Sequence, residues 1–258
     1  MYKIFFIFIL VLISCSKESI AQFENLVWSD EFDYTGLPSE TKWNYEIGYV
    51  RNNEKQYYTE KRLENARVEN GYLIIEAKKE KYKDFEYTSA SLITKNKEEW
   101  QYGRIEVKAK LPTGYGMWPA IWMLGKNISE VGWPTCGEID IMENVGFDPL
   151  VIHANIHTKA YNHVKGTNKG NKITVEDPSK DFHIYAVNWS KEKMEFFVDD
   201  NLYFTFYNEN KTTAEWPFDQ PFYLILNIAV GGGWGGQKGI DDSIFPQQMI
   251  IDYVRVYE

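Results

Sequence analysis

The chain has 258 residues, of which 44% are hydrophobic and 25% charged, a balance typical of a globular protein with a substantial core. These values argue against a disordered chain and against a polytopic membrane protein. The formal charge of −9 disfavours nucleic acid as a partner, because binding to phosphates needs a cationic face. Aromatic residues make up 16% of the chain, with 9 Trp, which predicts a large β core, a stacking cleft, or both.

The N-terminus resembles a bacterial lipoprotein signal. The apolar run over 4–13 is too short to span a bilayer and is typical of a signal peptide. It is followed by Ser and Cys15, which resembles a lipobox whose cysteine becomes the lipidated first residue. We therefore expect a signal peptide over 1–14, a short tether over 15–24, and a location in the bacterial cell envelope, with only a lipid anchor in the outer membrane. The alternative is an ordinary signal peptide with an incidental cysteine.

Residues 25–258 are predicted to form one domain built from strands. Alternating apolar and polar positions recur throughout this region, and helical periodicity is nearly absent. Roughly a dozen strands at regular spacing predict an all-β antiparallel sandwich, in which two curved sheets would leave one concave face free for a long ligand. The clearest predicted strands are 71–77, 103–111, 193–198 and 202–206 as a hairpin, 222–229, and 249–257.

The segment from Gly137 to Gly146 alternates acidic and apolar residues. In a strand, Glu138 and Asp140 share one face and the neighbouring isoleucines share the other. Glu143 returns to the acidic face only if the strand contains one extra residue, a β-bulge. Three carboxylates on one face repel each other and raise the pKa of at least one of them, which a purely structural strand has no reason to accept. The alternative interpretation is a solvated acidic strand edge.

Paired carboxylates are what glycoside cleavage requires. A retaining glycosidase needs one carboxylate as nucleophile and one carboxylic acid as proton donor, about 5–5.5 Å apart. Four strand steps of about 3.3 Å separate the backbones of Glu138 and Glu143 by roughly 13 Å, most of which two converging side chains would close. An Asp between them would hydrogen-bond the nucleophile and help hold the two charge states apart.

The motif Glu-Ile-Asp-Ile-Met-Glu over 138–143 resembles the bulged ExDxxE signature of glycoside hydrolase family 16. Its flanks resemble the laminarinase branch of that family, the endo-β-1,3-glucanases. The resemblance implies a β-jelly-roll sandwich with a concave cleft for a β-glucan polysaccharide, and it implies no cofactor for catalysis. We expect a monomer. The matching segments include Trp28–Asp33, Asn52–Thr59, Gly103–Val107, Gly116–Leu124, His153–His157, Phe182–Val187, Leu226–Gly232 and Asp252–Tyr257.

The same resemblance implies roles for the three acids. Glu138 is the nucleophile that attacks the anomeric carbon, and Asp140 assists it. Glu143 protonates the leaving oxygen and then, as a base, activates the water that releases the glycosyl-enzyme. The anomeric configuration is retained.

Substrate contacts are implied for a wider set of residues. Sugar rings present apolar C–H faces that stack on tryptophan, although packing in the core is the alternative for any single Trp. Three tryptophans, two polar residues and one histidine match cleft positions of the family, and a fourth tryptophan in a glycine-rich loop would cap a further subsite. These predicted contacts are Trp118, Trp122, Trp133, Asn53, Arg62, His157 and Trp234.

Many members of the family carry a structural calcium far from the cleft. Asp252 matches the carboxylate ligand, and the backbone carbonyls of Gly71 and Glu31 are the expected companions. Calcium accepts such mixed oxygen ligands. The alternative is an exposed Asp on a strand.

Two other functions are weighed against β-1,3-glucan hydrolysis. The same fold would also act on mixed-linkage β-1,3-1,4-glucan or an algal galactan, because loop residues decide the substrate and are poorly predicted from sequence. A lectin-like, non-catalytic glycan-binding lipoprotein is the alternative from another class. Such a module has no need of Glu138, Asp140 and Glu143 together, so their joint presence argues against it.

Overall fold

A computed structural model describes residues 23–258. The predicted signal peptide over 1–14, the lipidated Cys15 and nearly all of the tether lie outside the described residues, so they stay predictions that metabolic labelling with a fatty acid would test. Within residues 23–258, no helix is long and apolar enough to cross a membrane.

The described part of the chain forms seventeen strands in two sheets, one of ten strands and one of seven. One short α-helix, α1 (Ile128–Val131), and two 3₁₀ turns, His163–Lys165 and Asp242–Ile244, lie in the connections. The strands are β1 (Leu26–Asp30), β2 (Asn44–Tyr45), β3 (Gln56–Tyr58), β4 (Ala66–Glu69), β5 (Tyr72–Tyr82), β6 (Phe85–Ser89), β7 (Ser91–Ile93), β8 (Gly103–Lys110), β9 (Met117–Gly125), β10 (Glu138–Glu143), β11 (Val151–His157), β12 (Lys169–Thr174), β13 (His183–Trp189), β14 (Lys193–Val198), β15 (Asn201–Tyr207), β16 (Phe222–Val230) and β17 (Gln247–Tyr257).

The strand order places the acidic strand near the middle of the smaller sheet. The ten-stranded sheet runs β15-β14-β13-β8-β17-β5-β6-β3, with β1 paired to β17 and β4 to β5. The seven-stranded sheet runs β12-β11-β10-β9-β16-β7-β2. The predicted hairpin is present as β14 and β15. β3 and β6 pair in parallel, an exception to the predicted antiparallel order, and the intervening β4 and β5 provide the long crossover that a parallel pair needs.

The main hydrophobic core lies between the two sheets. On β8, the alternating residues Ile105, Val107 and Ala109 are fully buried in this core, as their spacing predicted. All nine residues of β16 are buried, because this central strand is covered on both faces. Fully burying one Leu or Ile side chain contributes about 1.5–3 kcal/mol, so the core fixes which face of each strand turns outward.

A second apolar cluster covers the opposite face of the seven-stranded sheet, which we call the cleft face. It lies mainly on β7, β9 and β16, beside the acidic strand, and forms the floor on which the functional site is built. Its buried members are Ile93, Ala120, Trp122, Leu124, Cys136, Tyr223 and Ile225.

Candidate active site

A β-bulge in β10 brings its three acids to the cleft face. Glu138 lies opposite His157 on β11, and Glu143 lies opposite His153. Five residue steps on β10 therefore match four on β11, and the register with β9 shifts at the same place. The irregularity falls between Asp140 and Glu143, where the sequence required one extra residue.

The apolar residues of β10 hold the acids in this orientation. Ile139, Ile141 and Met142 are completely buried in the main core. Glu138 and Glu143 remain partly exposed. Turning the strand over would expose three apolar side chains and bury three carboxylates among them, and each exposed chain alone would cost about 1.5–3 kcal/mol.

Each glutamate is held by the indole of a tryptophan. Trp133 Nε1 donates to Glu138 Oε2 at 2.8 Å, and Trp118 Nε1 donates to Glu143 Oε1 at 3.0 Å. Asn155 Nδ2 also donates to Glu143 Oε2, at 3.4 Å. Because an indole N–H can only donate, Trp133 occupies Oε2 of Glu138 and leaves its Oε1 free to act, whereas both oxygens of Glu143 accept a hydrogen bond.

His157 lies between the nucleophile candidate and the buried aspartate. Its Nε2 is 3.3 Å from Asp140 Oδ2 and 3.6 Å from Glu138 Oε1. Asp140 is only 2% exposed. Ligand atoms of these three residues lie within 4.8 Å of one another, so the group has the oxygen and nitrogen donors that could hold a metal ion.

Burial raises the pKa of every carboxyl group in this site. The pKa of Glu138 rises to about 8, chiefly through burial and then through the charge of Asp140, against the opposing influence of His157. The pKa of Asp140 lies well above its usual range because of burial and the neighbouring Glu143. Burial also raises the pKa of Glu143, while His157, Trp118 and Asn155 favour its ionised form. The three groups therefore share at least one proton near neutral pH, and a retaining glycosidase reacts from the form in which the proton donor holds that proton and the nucleophile is ionised.

This proton uptake predicts a measurable pH dependence of stability. The folded-state pKa of Glu138 exceeds its ordinary value of 4.5, so the group's contribution to the free energy of unfolding is complete below about pH 4.5 and is lost as the pH rises through about 8. We expect the melting temperature to fall between about pH 5 and pH 9, and Glu138→Gln to reduce that fall. Calorimetry at several pH values measures the melting temperatures of the wild type and of Glu138→Gln. Glu130→Gln, at an exposed position, is the control. A fall of the same size in Glu138→Gln would contradict the prediction.

Trp118 and Trp234 form an aromatic wall beside Glu143. Their ring centres are 5.6 Å apart in an edge-to-face contact, and Trp234 also meets His153 at 5.0 Å. The glycine-rich loop permits this packing, since a Cβ at Gly235 would lie 2.8 Å from the Cβ of Trp118. Two of the predicted tryptophans therefore lie next to the proton-donor candidate.

A second aromatic wall stands beside Glu138. Trp133 packs at a tilt against the imidazole of His163, with ring centres 5.1 Å apart, and lies 6.0 Å from the ring of His157. His163 belongs to the 3₁₀ turn after β11 and is exposed. The two walls leave the three acids between them on the floor of the cleft face.

Trp122 occupies a different position from the other tryptophans. It lies opposite Asp140 in the neighbouring strand, is only 7% exposed, and donates from Nε1 to Asn227 Oδ1 at 2.8 Å. The guanidinium carbon of Arg51 lies 4.8 Å from its ring centre. Trp122 therefore forms part of the floor and is covered by a cationic side chain.

The two predicted polar contacts lie in loops outside the seven-stranded sheet. Asn53 is exposed in a loop next to the glycine-rich loop, where Gly233 N–H donates to the carbonyl of Asn52 at 2.9 Å. Arg62 forms two hydrogen bonds to Glu80 of β5, at 2.6 and 3.1 Å, in the ten-stranded sheet. Substrate contact by Asn53 and Arg62 stays a prediction.

The predicted calcium ligands are the Asp252 carboxylate and the backbone carbonyls of Gly71 and Glu31, and basic side chains already pair with the carboxylates of Asp252 and Glu31. Asp252 Oδ2 is 2.8 Å from Lys108 Nζ. The Glu31 carboxylate accepts two hydrogen bonds from Arg255, both at 2.9 Å. Gly71, with φ of +81°, forms the turn between β4 and β5. These contacts give no support to a divalent ion at this place, and calcium stays a prediction.

Sequence reasoning missed several residues that complete the site. His153 and Asn155 alternate with His157 along β11, so the period of two along that strand was a usable signal for all three. Arg51 and His163 lie on loops, and no periodic signal placed either of them over the cleft face.

Comparison with known proteins gives consistent matches. The model of the glycosyl hydrolases family 16 matches residues 53–255. The chain is 54% identical over 261 residues to the β-glucanase of Rhodothermus marinus, covering 96% of this chain and 91% of that protein. The laminarinase structure from Rhodothermus marinus is similar with a TM-score of 0.89 and 55% identity, covering 91% of this chain and 97% of that chain. SCLam, a non-specific endo-β-1,3(4)-glucanase from the same family, is similar with a TM-score of 0.87 and 51% identity over 91% of each chain. These similarities confirm the predicted jelly-roll sandwich.

Proposed function

This chain belongs to glycosyl hydrolase family 16 and is an endo-β-1,3-glucanase, and from that premise we propose that Glu138, Asp140 and Glu143 hydrolyse laminarin-type glucan by double displacement. The observation that carries the assignment is the bulge in β10, which places Glu138 and Glu143 on one face with a tryptophan donor on each. No cofactor takes part in this reaction.

In the first step, the Glu138 carboxylate attacks the anomeric carbon of the sugar. The bond from that carbon to the glycosidic oxygen breaks, and Glu143 transfers its proton to the departing oxygen. The product is a glycosyl ester on Glu138. The hydrogen bond from Trp133 to Oε2 leaves Oε1 as the attacking atom.

In the second step, Glu143 acts as a base. It removes a proton from a water molecule, the water oxygen attacks the anomeric carbon, and the ester bond to Glu138 breaks. Two displacements at one carbon restore the original β configuration. The Trp118 and Asn155 donors stabilise the carboxylate form of Glu143 that this step requires.

Asp140 keeps the charge states of the two glutamates different. Its raised pKa means that it retains a proton to higher pH than an ordinary Asp, because it is buried beside Glu143. The charge of an ionised Asp140 raises the pKa of Glu138, so a protonated Asp140 favours the ionised nucleophile. His157, close to both, favours the ionised form of Glu138 through its charge.

Mixed-linkage β-1,3-1,4-glucan is the second candidate substrate. SCLam, whose structure has the same fold as this chain, is a non-specific endo-β-1,3(4)-glucanase. The aromatic walls formed by Trp118, Trp234 and Trp133 offer stacking surfaces that accept either linkage.

Product stereochemistry tests the double displacement directly. We expect proton NMR to show the β anomer first when the protein cleaves laminarin, with the α anomer appearing only through mutarotation. Initial release of the α anomer would contradict the retaining assignment. If the protein releases reducing ends from lichenan and none from laminarin, mixed-linkage β-1,3-1,4-glucan is the substrate and laminarin is not.

A further inference from the structure

We propose that Arg51 binds the glucosyl unit next to the catalytic acids and helps to select the linkage. The proposal rests on the β-glucanase function above and adds a contact that the sequence motifs did not indicate. Arg51 lies in the loop before β3 and reaches over the cleft face by stacking on Trp122.

The position of Arg51 follows from the register of the seven-stranded sheet. Asp140 of β10 lies opposite Trp122 of β9, Trp122 opposite Ile225 of β16, and Ile225 opposite Ile93 of β7. Neighbouring strands lie about 4.8 Å apart, so this row crosses the cleft floor in equal steps from the acids to β7, the neighbour of the edge strand β2. Trp122, whose ring is covered by Arg51, is the first residue of this row after Asp140.

Arg51 takes the place at which a sugar would otherwise stack. Its guanidinium carbon is 4.8 Å from the centre of the Trp122 ring, and that ring is only 7% exposed. The Arg51 side chain itself remains 22% exposed. A sugar above this part of the floor therefore meets N–H donors in place of an aromatic face.

A salt bridge fixes the orientation of the guanidinium. Arg51 Nη2 donates to Glu46 Oε1, and Ser91 Oγ donates to the other oxygen of Glu46 at 2.7 Å. Among the described residues, Glu46 accepts a hydrogen bond from this guanidinium, which has five N–H donors in all. Because Glu46 balances the charge, the remaining donors suit neutral hydroxyl groups better than an anion.

The platform beneath Arg51 is held by buried hydrogen bonds. Trp122 Nε1 donates to Asn227 Oδ1 at 2.8 Å, and Asn227 Nδ2 donates to the Tyr58 hydroxyl at 3.0 Å. That hydroxyl donates to Glu54 Oε2 at 3.2 Å. The floor therefore presents the guanidinium in one orientation, as preorganised recognition requires.

A fixed planar donor group distinguishes linkages by ring orientation. An internal β-1,3-linked glucosyl unit has free hydroxyls on C2, C4 and C6, whereas an internal β-1,4-linked unit has them on C2, C3 and C6, so the two linkages offer different acceptors to the N–H groups of a guanidinium. Successive rings of a β-1,4 chain are turned over relative to one another. A β-1,3 chain curves, and the orientation of each ring relative to the next differs from that in the β-1,4 chain. Hydroxyls that meet Arg51 in one linkage therefore point elsewhere in the other, and a buried donor left unpaired lowers affinity.

Steady-state kinetics on laminarin and lichenan tests the role. We expect Arg51→Met to raise KM for laminarin about 10-fold or more, with kcat changed less than about 2-fold, and to alter the ratio of the two kcat/KM values. Arg67→Met is the matched control, because Arg67 is 21% exposed and ion-paired to Glu76 in the ten-stranded sheet. Its KM values and its ratio should equal those of the wild type.

The outcomes separate this proposal from the proposed function. Wild-type protein that releases no sugar from either glucan refutes the function itself. If the wild type is active and Arg51→Met keeps its KM and its laminarin-to-lichenan ratio, the role of Arg51 is refuted. Equal losses on both glucans together with a lowered melting temperature would show a structural role and also refute it. Should Arg51→Met fail to fold, Arg51→Lys, which keeps the charge and loses the planar donors, is judged by the same criteria.

Discussion

Glu138→Gln should lower kcat on laminarin by about 10⁴-fold or more while the protein still folds and binds glucan. The amide cannot form the glycosyl ester, so the reaction loses its nucleophile and not merely a contact. Binding persists because the aromatic walls around Trp118, Trp234 and Trp133 are untouched. The rate is measured from the reducing ends released from laminarin. The affinity is measured by calorimetric titration with a laminarin oligosaccharide.

The control separates loss of the nucleophile from loss of charge. Glu130→Gln removes a carboxylate from the exposed helix α1, so it should keep the wild-type rate. Glu138→Gln should also melt at a temperature no lower than the wild type near pH 8, because burying an ionised Glu138 costs stability. A Glu138→Gln protein that retains a near wild-type rate would remove Glu138 from the mechanism.

The acidic strand was predictable because two periodicities conflict within six residues. Ile139 and Ile141 fix the core face, and a regular strand would then turn Glu143 the wrong way. Only one extra residue in the strand allows all three acids to share a face while the isoleucines stay in the core. The strand register shows this bulge between Asp140 and Glu143. A local pattern was enough here, since burial of apolar side chains decides the face of a strand.

Cross-strand and loop contacts were not predictable in the same way. The sequence favoured Trp122 as a stacking surface, but a residue from a distant loop, Arg51, covers its ring. Nothing in the spacing of the chain connects positions 51 and 122, because loop conformation depends on the final packing. The short strands β2, β3 and β7 were missed for a related reason, as two or three residues are too few to show alternation.

Glu143→Ala should lower the rate on laminarin by about 10²- to 10⁴-fold, the contribution typical of a general acid–base. The loss should be much smaller in the first step of an aryl β-glucoside substrate with an acidic leaving group, because such a group departs without a proton. Circular dichroism checks the fold, since Trp118 Nε1 and Asn155 Nδ2 lose their acceptor. A loss independent of the leaving group would contradict the acid role.

Azide added to the Glu143→Ala variant shows which glutamate is the nucleophile and which is the general acid–base. Azide needs no base, and it can enter the space that the carboxylate vacated beside Trp118 and attack the glycosyl ester on Glu138. Attack from that side is a second displacement, so with the aryl β-glucoside, whose leaving group departs without a proton, the product should be the β-glycosyl azide and turnover should recover. An α-glycosyl azide would mean that azide had replaced the nucleophile, and the roles of Glu138 and Glu143 would have to be exchanged. The test depends on the bulge in β10, because only two glutamates on one face can approach one anomeric carbon from opposite sides.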